Sequence, residues 1–442
     1  MILIASSAVF YGYSQPWLLI LLSISASINA VTSYLVFYAK AENRRKFFAF
    51  TGVISNLLVL GFFKYNHLMD GLISPTRDLL YFMVTIPLPI GISFYTFQGI
   101  SLVMDVYNPS QKYDINIEKD FLTHYKKTYF FITFFPQLVA GPIVKAHDFF
   151  PQISTKYFKK IDTMIVYKFL VLGFFLKSVI ADHLKDQTFY IASPYFEFQS
   201  SLTLFFMLFG YSMQIFADFA GYSLIAIGIG ALFGYKLPKN FNFPYISTSI
   251  AEFWRRWHIS LSSWLKEYLY FGLGGNRKGN LRTYMNLMIV MFLGGLWHGA
   301  AWNFGVWGLW HGTGLVIERF FSKRRDPQKI SNFFVRAIKL ALVFVFVSLS
   351  WLFFKLSTFH DTLGFIKAIL LNTSMAHNYG LMLKISIYSL PVVLYHMLYL
   401  AKTGNLKMAH IILKYDYVIY SILLFLIFVN GGIPGEFVYF QF

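Results

Sequence analysis

The chain has 442 residues, of which 57% carry hydrophobic side chains and 20% are aromatic, while only 13% are charged. Soluble domains carry roughly 25% charged residues, so the composition reads as a bilayer protein rather than a soluble oligomer with apolar interfaces. The net charge of +18 suits cytoplasmic loops and anionic lipid headgroups and calls for no nucleic acid. With no cysteine, a thioester acyl-enzyme, a disulfide framework and a thiolate metal site are all excluded.

In chain order, Met1 opens onto Ile-Leu-Ile-Ala-Ser-Ser-Ala-Val-Phe-Tyr with neither a basic n-region nor a cleavage site, and reads as a retained segment. Apolar runs able to cross a bilayer follow at 17–38, 47–63, 80–104, 122–143, 163–181, 200–233, 284–320 (long enough for two), 334–354, 379–400 and 410–430. With a short extra at 2–14, this predicts about eleven transmembrane helices of ~20 residues. None of the runs alternates with period two, so each is a helix rather than a barrel strand. No inverted repeat of the transporter kind is visible. Two runs carry breaks, one at Pro87, Pro89 and Gly91, the other at Pro136, Gly141 and Pro142. Unwound backbone at membrane depth survives only where protein or a water-filled cavity satisfies it, so the breaks point to a central cavity, with kinked packed helices as the alternative.

Basic clusters set the expected orientation. Arg44-Arg45-Lys46, then Arg255, Arg256, Lys266, Arg277, Lys278 and Arg282, then Lys323-Arg324-Arg325 belong in the cytoplasm. Counting onward, Lys402 and Lys407 are inside and the tail 431–442 is extracytoplasmic.

Residues with chemical capacity concentrate in two stretches. Gly294-Gly-Leu-Trp297-His298-Gly-Ala-Ala-Trp-Asn303 runs on to Trp310-His311-Gly, placing two histidines in a span rich in Gly and Trp. Ionisable groups inside a span are costly and face an interior site by default. Glycines admit a close backbone or ligand, and Trp297 and its neighbours supply flat walls. Upstream, Phe253-Trp254-Arg255-Arg256-Trp-His258-Ile-Ser-Leu-Ser-Ser-Trp-Leu-Lys-Glu267-Tyr reads as one amphipathic helix at the headgroup interface or plugging a cavity. Its guanidinium forks suit phosphate, and lipid anchoring is the simpler reading. Asp105, Asp182, Asp218 and Glu252 lie in or beside apolar runs, so each is expected to have a partner or a wet face. No metal-ligand spacing is present. The chain ends Gly-Gly-Ile-Pro-Gly-Glu-Phe437-Val-Tyr439-Phe-Gln-Phe442, too aromatic for a solvated tail. It is expected to dock in a groove or to anchor at the interface.

Several stretches resemble the membrane-bound O-acyltransferase family, in its branch of alginate and peptidoglycan O-acetyltransferases. They are Pro89-Ile-Gly-Ile-Ser-Phe-Tyr-Thr-Phe-Gln98, Phe134-Phe-Pro-Gln-Leu-Val-Ala-Gly-Pro142, Asp218-Phe-Ala-Gly-Tyr-Ser223, Glu252-Phe-Trp-Arg-Arg-Trp-His-Ile-Ser-Leu-Ser262, Leu296-Trp-His-Gly299 and Phe437-x-Tyr-x-x-Phe442. The resemblance implies an all-α, polytopic inner-membrane protein forming one domain over 1–442, with re-entrant and amphipathic helices around a central cavity. It implies His298 as the catalytic histidine and His258 as an assisting position. Trp254, Arg255, Arg256 and Trp297 would receive acetyl-CoA, a donor substrate rather than a resident cofactor. Tyr439 matches the branch's acyl-accepting tail. The implied partners are a periplasmic serine esterase-like transferase, a cell-wall glycan reached indirectly, and membrane lipid. The chain departs from the family in its short first span and in Leu224, where an acidic residue often stands. Read without the resemblance, the cavity and basic face also fit a transporter of acylated lipid or glycan, and the histidines also fit D-alanyl transfer to teichoic acid.

Overall fold

The computed structural model describes residues 2–13, 16–65, 89–108, 115, 117–138, 141–322, 332–404 and 414–435. Pro87, the Lys323-Arg324-Arg325 cluster, Lys407 and the aromatic tail with Tyr439 lie outside the described residues. Among those described, every regular element is helical. They fall into two compact units, the first built from residues 1–163, 229–238 and 266–268, the second from 164–228, 239–265 and 269–442.

The first unit contains α1 (Ile2–Gly12), α2 (Leu18–Tyr38), α3 (Glu42–Tyr65), α4 (Ile92–Tyr107) and α5 (Phe121–Thr133). Small and polar residues tie α2 to α3 and α5, the usual solution where lipid removes the hydrophobic drive between helices. Asn29 and Asn56 exchange amide hydrogen bonds at 3.2 and 2.8 Å, and Ser33 Oγ pairs with His124 Nε2 at 2.9 Å. Both expected breaks fall in this unit, and they meet. Gly91 is left-handed (φ 78°), and a Cβ there would collide with the Leu138 carbonyl. The unwound backbone finds protein partners: Tyr11 Oη donates to the Ile90 carbonyl at 2.8 Å, and Phe135 N donates to Ser7 Oγ at 3.3 Å. The breaks are thus packed on each other and on α1, where the sequence had pointed to a cavity.

The second unit holds α6 (Thr163–Gln187), α7 (Ser201–Leu232), α8 (Ile250–Arg256), α9 (Ile259–Trp264), α10 (Gly279–His298), α11 (Trp302–Ser322), α12 (Phe333–Lys355), α13 (Phe359–Leu371), α14 (Tyr379–Thr403) and α15 (Asp416–Val429). In α6 the turn Phe175–Ala181 widens to π geometry, a local defect that often marks a working site.

Six helices among the described residues are long and apolar enough to cross a membrane (α2, α3, α6, α7, α12 and α14), where about eleven were expected. The run at 122–143 is cut where Phe134 turns out of helix (ψ 104°). Among the described residues, the run at 410–430 contributes the 14 residues of α15. The long run at 284–320 does divide into two helices of 20 and 21 residues. Their content of Gly, Asn, Thr and His leaves them less apolar than the six, and they pack on each other as a hairpin. The expected amphipathic helix from Phe253 is likewise broken, into α8, α9 and the π turn Leu265–Tyr270.

Candidate active site

The hairpin of α10 and α11 is made possible by missing side chains. A Cβ on Gly295 would strike the Phe304 carbonyl and Gly308, and one on Gly308 would strike the Met291 carbonyl. With those atoms absent the two backbones touch, as in small-residue membrane packing. The hairpin presents His298, the last residue of α10, to an aromatic cage. Its ring lies 5.0 Å from Trp297, 5.1 Å from Trp307 and 5.2 Å from Phe354 between centroids, and the side chain is buried.

His258 arrives from the break between α8 and α9. Its backbone is left-handed, φ 41°, a conformation that a residue with a Cβ adopts at a cost and that clusters at functional sites. The loop at 240–242 holds the break open: Ile259 N donates to the Asn240 carbonyl at 2.9 Å, Ser260 Oγ to Asn240 Oδ1 at 2.6 Å, and Asn242 N to the Arg256 carbonyl at 2.9 Å. Phe219 meets the His258 ring edge-on at 4.7 Å, and the His258 and His298 rings lie 6.4 Å apart, with Trp297 6.1 Å from His258. The inner face of the stretch is buried, Phe253, Trp257 and Leu261 being each 1% exposed, while Arg255 and Lys266 stay exposed.

His311 enters the same cage, 4.9 Å from Trp307 and 5.1 Å from Trp254. Ser350 Oγ donates to the Val347 carbonyl, and its 2.9 Å contact with His311 Nε2 must then be donated by the imidazole. That fixes the Nε2–H tautomer. Nδ1 is left as an acceptor without a hydrogen-bond partner among the described residues, as are the indole N–H groups of Trp254 and Trp307.

Two cavities border the cage. One, of about 110 Å³, is lined by Trp254, Leu265, Gly294, His298 and Trp307 among others. The other, of about 750 Å³, is lined by Lys185, Tyr211, Asn303, Phe304, Phe354 and Lys355 among others. His298 lines the first and stacks edge-on against a wall residue of the second. Asn303 gives one amide N–H to the Leu356 carbonyl at 2.7 Å.

The structure thus gathers His298, His258, Trp254 and Trp297. The arginines stand apart. Arg255 is exposed, and Arg256 bonds Glu252 Oε1 and the Asn242 carbonyl, both at 2.9 Å, and overlies the Tyr399 ring. Glu252 serves α8 itself: its N–H is capped by Ser249 Oγ at 3.0 Å while Oε2 accepts from Thr248 N at 2.9 Å, a variant of the capping box. Burial would raise the Glu252 pKa, but the hydrogen bonds from Thr248 and Arg256 outweigh it and hold the carboxyl below its ordinary value.

The acids flagged in the sequence have partners. Asp105 accepts from His147 Nδ1 at 2.9 Å and from Tyr268 Oη at 2.6 Å. Asp182 and Asp218 share Lys177, at 2.7 and 2.9 Å. Lys177 was missed in the sequence, although a lysine deep inside the run at 163–181, which also holds Lys168 nearer its start, is the kind of intramembrane charge that marks a site.

A helical membrane protein with a buried histidine pair, one member of which lines a cavity, has a construction suited to acyl transfer inside a bilayer. Residues 77–360 match the family model of membrane-bound O-acyltransferases, and the chain belongs to that family. It is 38% identical to a probable alginate O-acetylase of Azotobacter vinelandii, over 80% of this chain and 69% of that protein. It is 34% identical to a peptidoglycan O-acetyltransferase of Helicobacter pylori, over 83% and 73% respectively. A teichoic acid D-alanyltransferase of Bacillus subtilis is 29% identical over 75% and 82%. The chain is accordingly a membrane-bound acyltransferase.

Proposed function

We propose that the protein takes acetyl from acetyl-CoA at the cytoplasmic face of the inner membrane and passes it outward, through Tyr439, to a periplasmic transferase that O-acetylates a cell-envelope polysaccharide. The observation that carries this reading is the place of His298, on the wall of one cavity and packed against the wall of another. The small pocket between Trp254, Trp307 and His298 takes the thioester, with the cofactor phosphates towards Arg255 and Arg256. The larger cavity takes the acceptor hydroxyl.

His298 removes the hydroxyl proton as the oxygen attacks the thioester carbonyl. The C–S bond then breaks and the proton passes from the imidazolium to the leaving thiolate, giving an acetyl ester and free CoA. A tyrosine phenol, with a pKa of about 10, is scarcely ionised at neutral pH, and base assistance contributes a typical factor of about 10²–10⁴. His258 or the second amide N–H of Asn303 receives the developing oxyanion charge.

The MurNAc hydroxyl of peptidoglycan is the acceptor proposed here. An alginate-type polysaccharide is the second reading, favoured by the relative from Azotobacter. Incubation with acetyl-CoA followed by intact and peptide mass analysis tests the scheme. The C-terminal peptide is expected to gain one acetyl group in the native protein and none in His298→Ala or Tyr439→Phe. Full transfer by His298→Ala would end the proposal, and acetyl transfer itself would exclude both the transporter and the D-alanyl donor.

A further inference from the structure

Lys177 sits in the wide π turn of α6, between two carboxylates that are almost wholly buried, Asp182 at 3% exposed and Asp218 at 1%. An ammonium has three N–H donors, and three acceptors meet this one: Asp182 Oδ1 at 2.7 Å, Asp218 Oδ1 at 2.9 Å and the backbone carbonyl of Gly435 at 3.0 Å. The third comes from the run 431–435 that follows α15. That run returns the contact, since Gly435 N donates to Asp182 Oδ1 at 3.3 Å and Gly432 N donates to the Ser178 carbonyl at 2.8 Å. The glycines are what allow this approach. A Cβ on Gly432 would press on Asp182 and His183, and one on Gly435 would lie 2.8 Å from the Lys185 side chain.

Lys185 lines the cavity of about 750 Å³ whose other walls include Phe304 and Phe354, and Phe354 packs on His298. Seven residues follow Gly435, and Tyr439 is the fourth. At ~3.3–3.6 Å per extended residue its Cα lies within ~14 Å of Gly435. A buried ion cluster is a poor source of net stability but a good device for fixing one arrangement. We propose that Lys177, held by Asp182 and Asp218, is a positioning residue that clamps the run 431–435 beside Lys185, so that the last seven residues start at the mouth of this cavity. The consequence for catalysis rests on Tyr439 being the acyl carrier.

The chain lacks cysteine, so Gln441→Cys gives a single thiol whose maleimide labelling rate reports how firmly the tail is held, independently of acetylation. Three variants are placed on this background in full-length protein in nanodiscs. Lys177→Met with Asp182→Asn and Asp218→Asn removes the clamp without stranding a charge, Lys177→Arg conserves it, and Gly435→Pro removes the tail's donor to Asp182 and sets a ring against the Lys185 side chain.

The triple variant and Gly435→Pro are expected to label about tenfold faster, and to load acetyl on the tail about tenfold more slowly, as the held population falls. Lys177→Arg is expected to restore both. Gly435→Pro leaves the helix core untouched and decides the matter when the triple variant fails to fold. Unchanged labelling would overturn the clamp, and faster labelling with undiminished loading would overturn its positioning role. Native protein that never acquires tail acetyl would sink the carrier reading instead, and the labelling rates would still decide the clamp.

Discussion

At the scale of single residues, His258 is the position where backbone and side chain can be separated by experiment. Its φ of 41° carries a cost of order 1 kcal/mol for any residue with a Cβ, which glycine avoids. His258→Gly is therefore expected to be at least as stable as His258→Ala, seen as an equal or higher Tm, while both lose the imidazole 6.4 Å from that of His298. If the ring stabilises the oxyanion, kcat for acetyl transfer falls in both variants, roughly 10²-fold or more. A glycine variant with native kcat would reduce His258 to a hinge. Both histidines were legible in the sequence because an ionisable side chain among apolar neighbours stands out. Their proximity was not, since it depends on a backbone turn at Trp257–His258 that Asn240 and Asn242 impose from another segment. Lys177 shows the same division: its presence in an apolar run was readable, but its partner Gly435 comes from the far end of the chain.

At the scale of elements, the hairpin that delivers His298 depends on glycine more than on any apolar contact. Adding even a methyl at Gly295 or Gly308 forces the backbones of α10 and α11 apart, because the obstructing atoms are main-chain oxygens that cannot rotate away. Gly308→Ala is expected to cost about 1–3 kcal/mol of stability and to lower kcat along with it. A scanning thermal assay and acetyl-transfer rates check the pair, and an unperturbed variant would mean that the helices separate freely.

The capping of α8 gives a pH-dependent counterpart. The folded-state pKa of Glu252 is depressed, so its contribution is present above the unfolded carboxyl value and is lost as pH falls through the folded one. Glu252→Gln is expected to lower Tm at neutral pH, with the gap to native protein closing in acid. A gap independent of pH would show that the charge is not what matters. Among the described residues, continuous helices are shorter than the apolar run at 122–143 and the amphipathic stretch at 253–268. Hydropathy registers a greasy run, whereas the breaks at Gly91, Phe134 and His258 leave carbonyls and amides that Tyr11, Ser7, Asn240 and Asn242, residues distant in sequence, satisfy.

At the scale of the whole molecule, the helices by themselves carry no sign: each would cross in either direction, and only the basic loops choose. The proposed path makes that choice testable, because acetyl-CoA is a charged cytoplasmic donor and the polysaccharide lies outside. On the charge rule, Arg44-Arg45-Lys46 at the start of α3 is expected to keep Ala41 inside, and the proposed path requires Gln441 outside. Single cysteines at those two positions, on a chain that has none of its own, can be probed in spheroplasts with an impermeant maleimide. Gln441→Cys is expected to label in intact spheroplasts, and Ala41→Cys only after the membrane is opened. The reverse pattern would put the tail on the donor side, where an acetyl ester on Tyr439 would have no route to the envelope. Labelling of both in sealed spheroplasts would mean that α2 and α3 do not form a membrane hairpin with a cytoplasmic turn. With the expected pattern, the turn before α3 and the tail lie on opposite faces of the membrane, as outward delivery of an acetyl group requires.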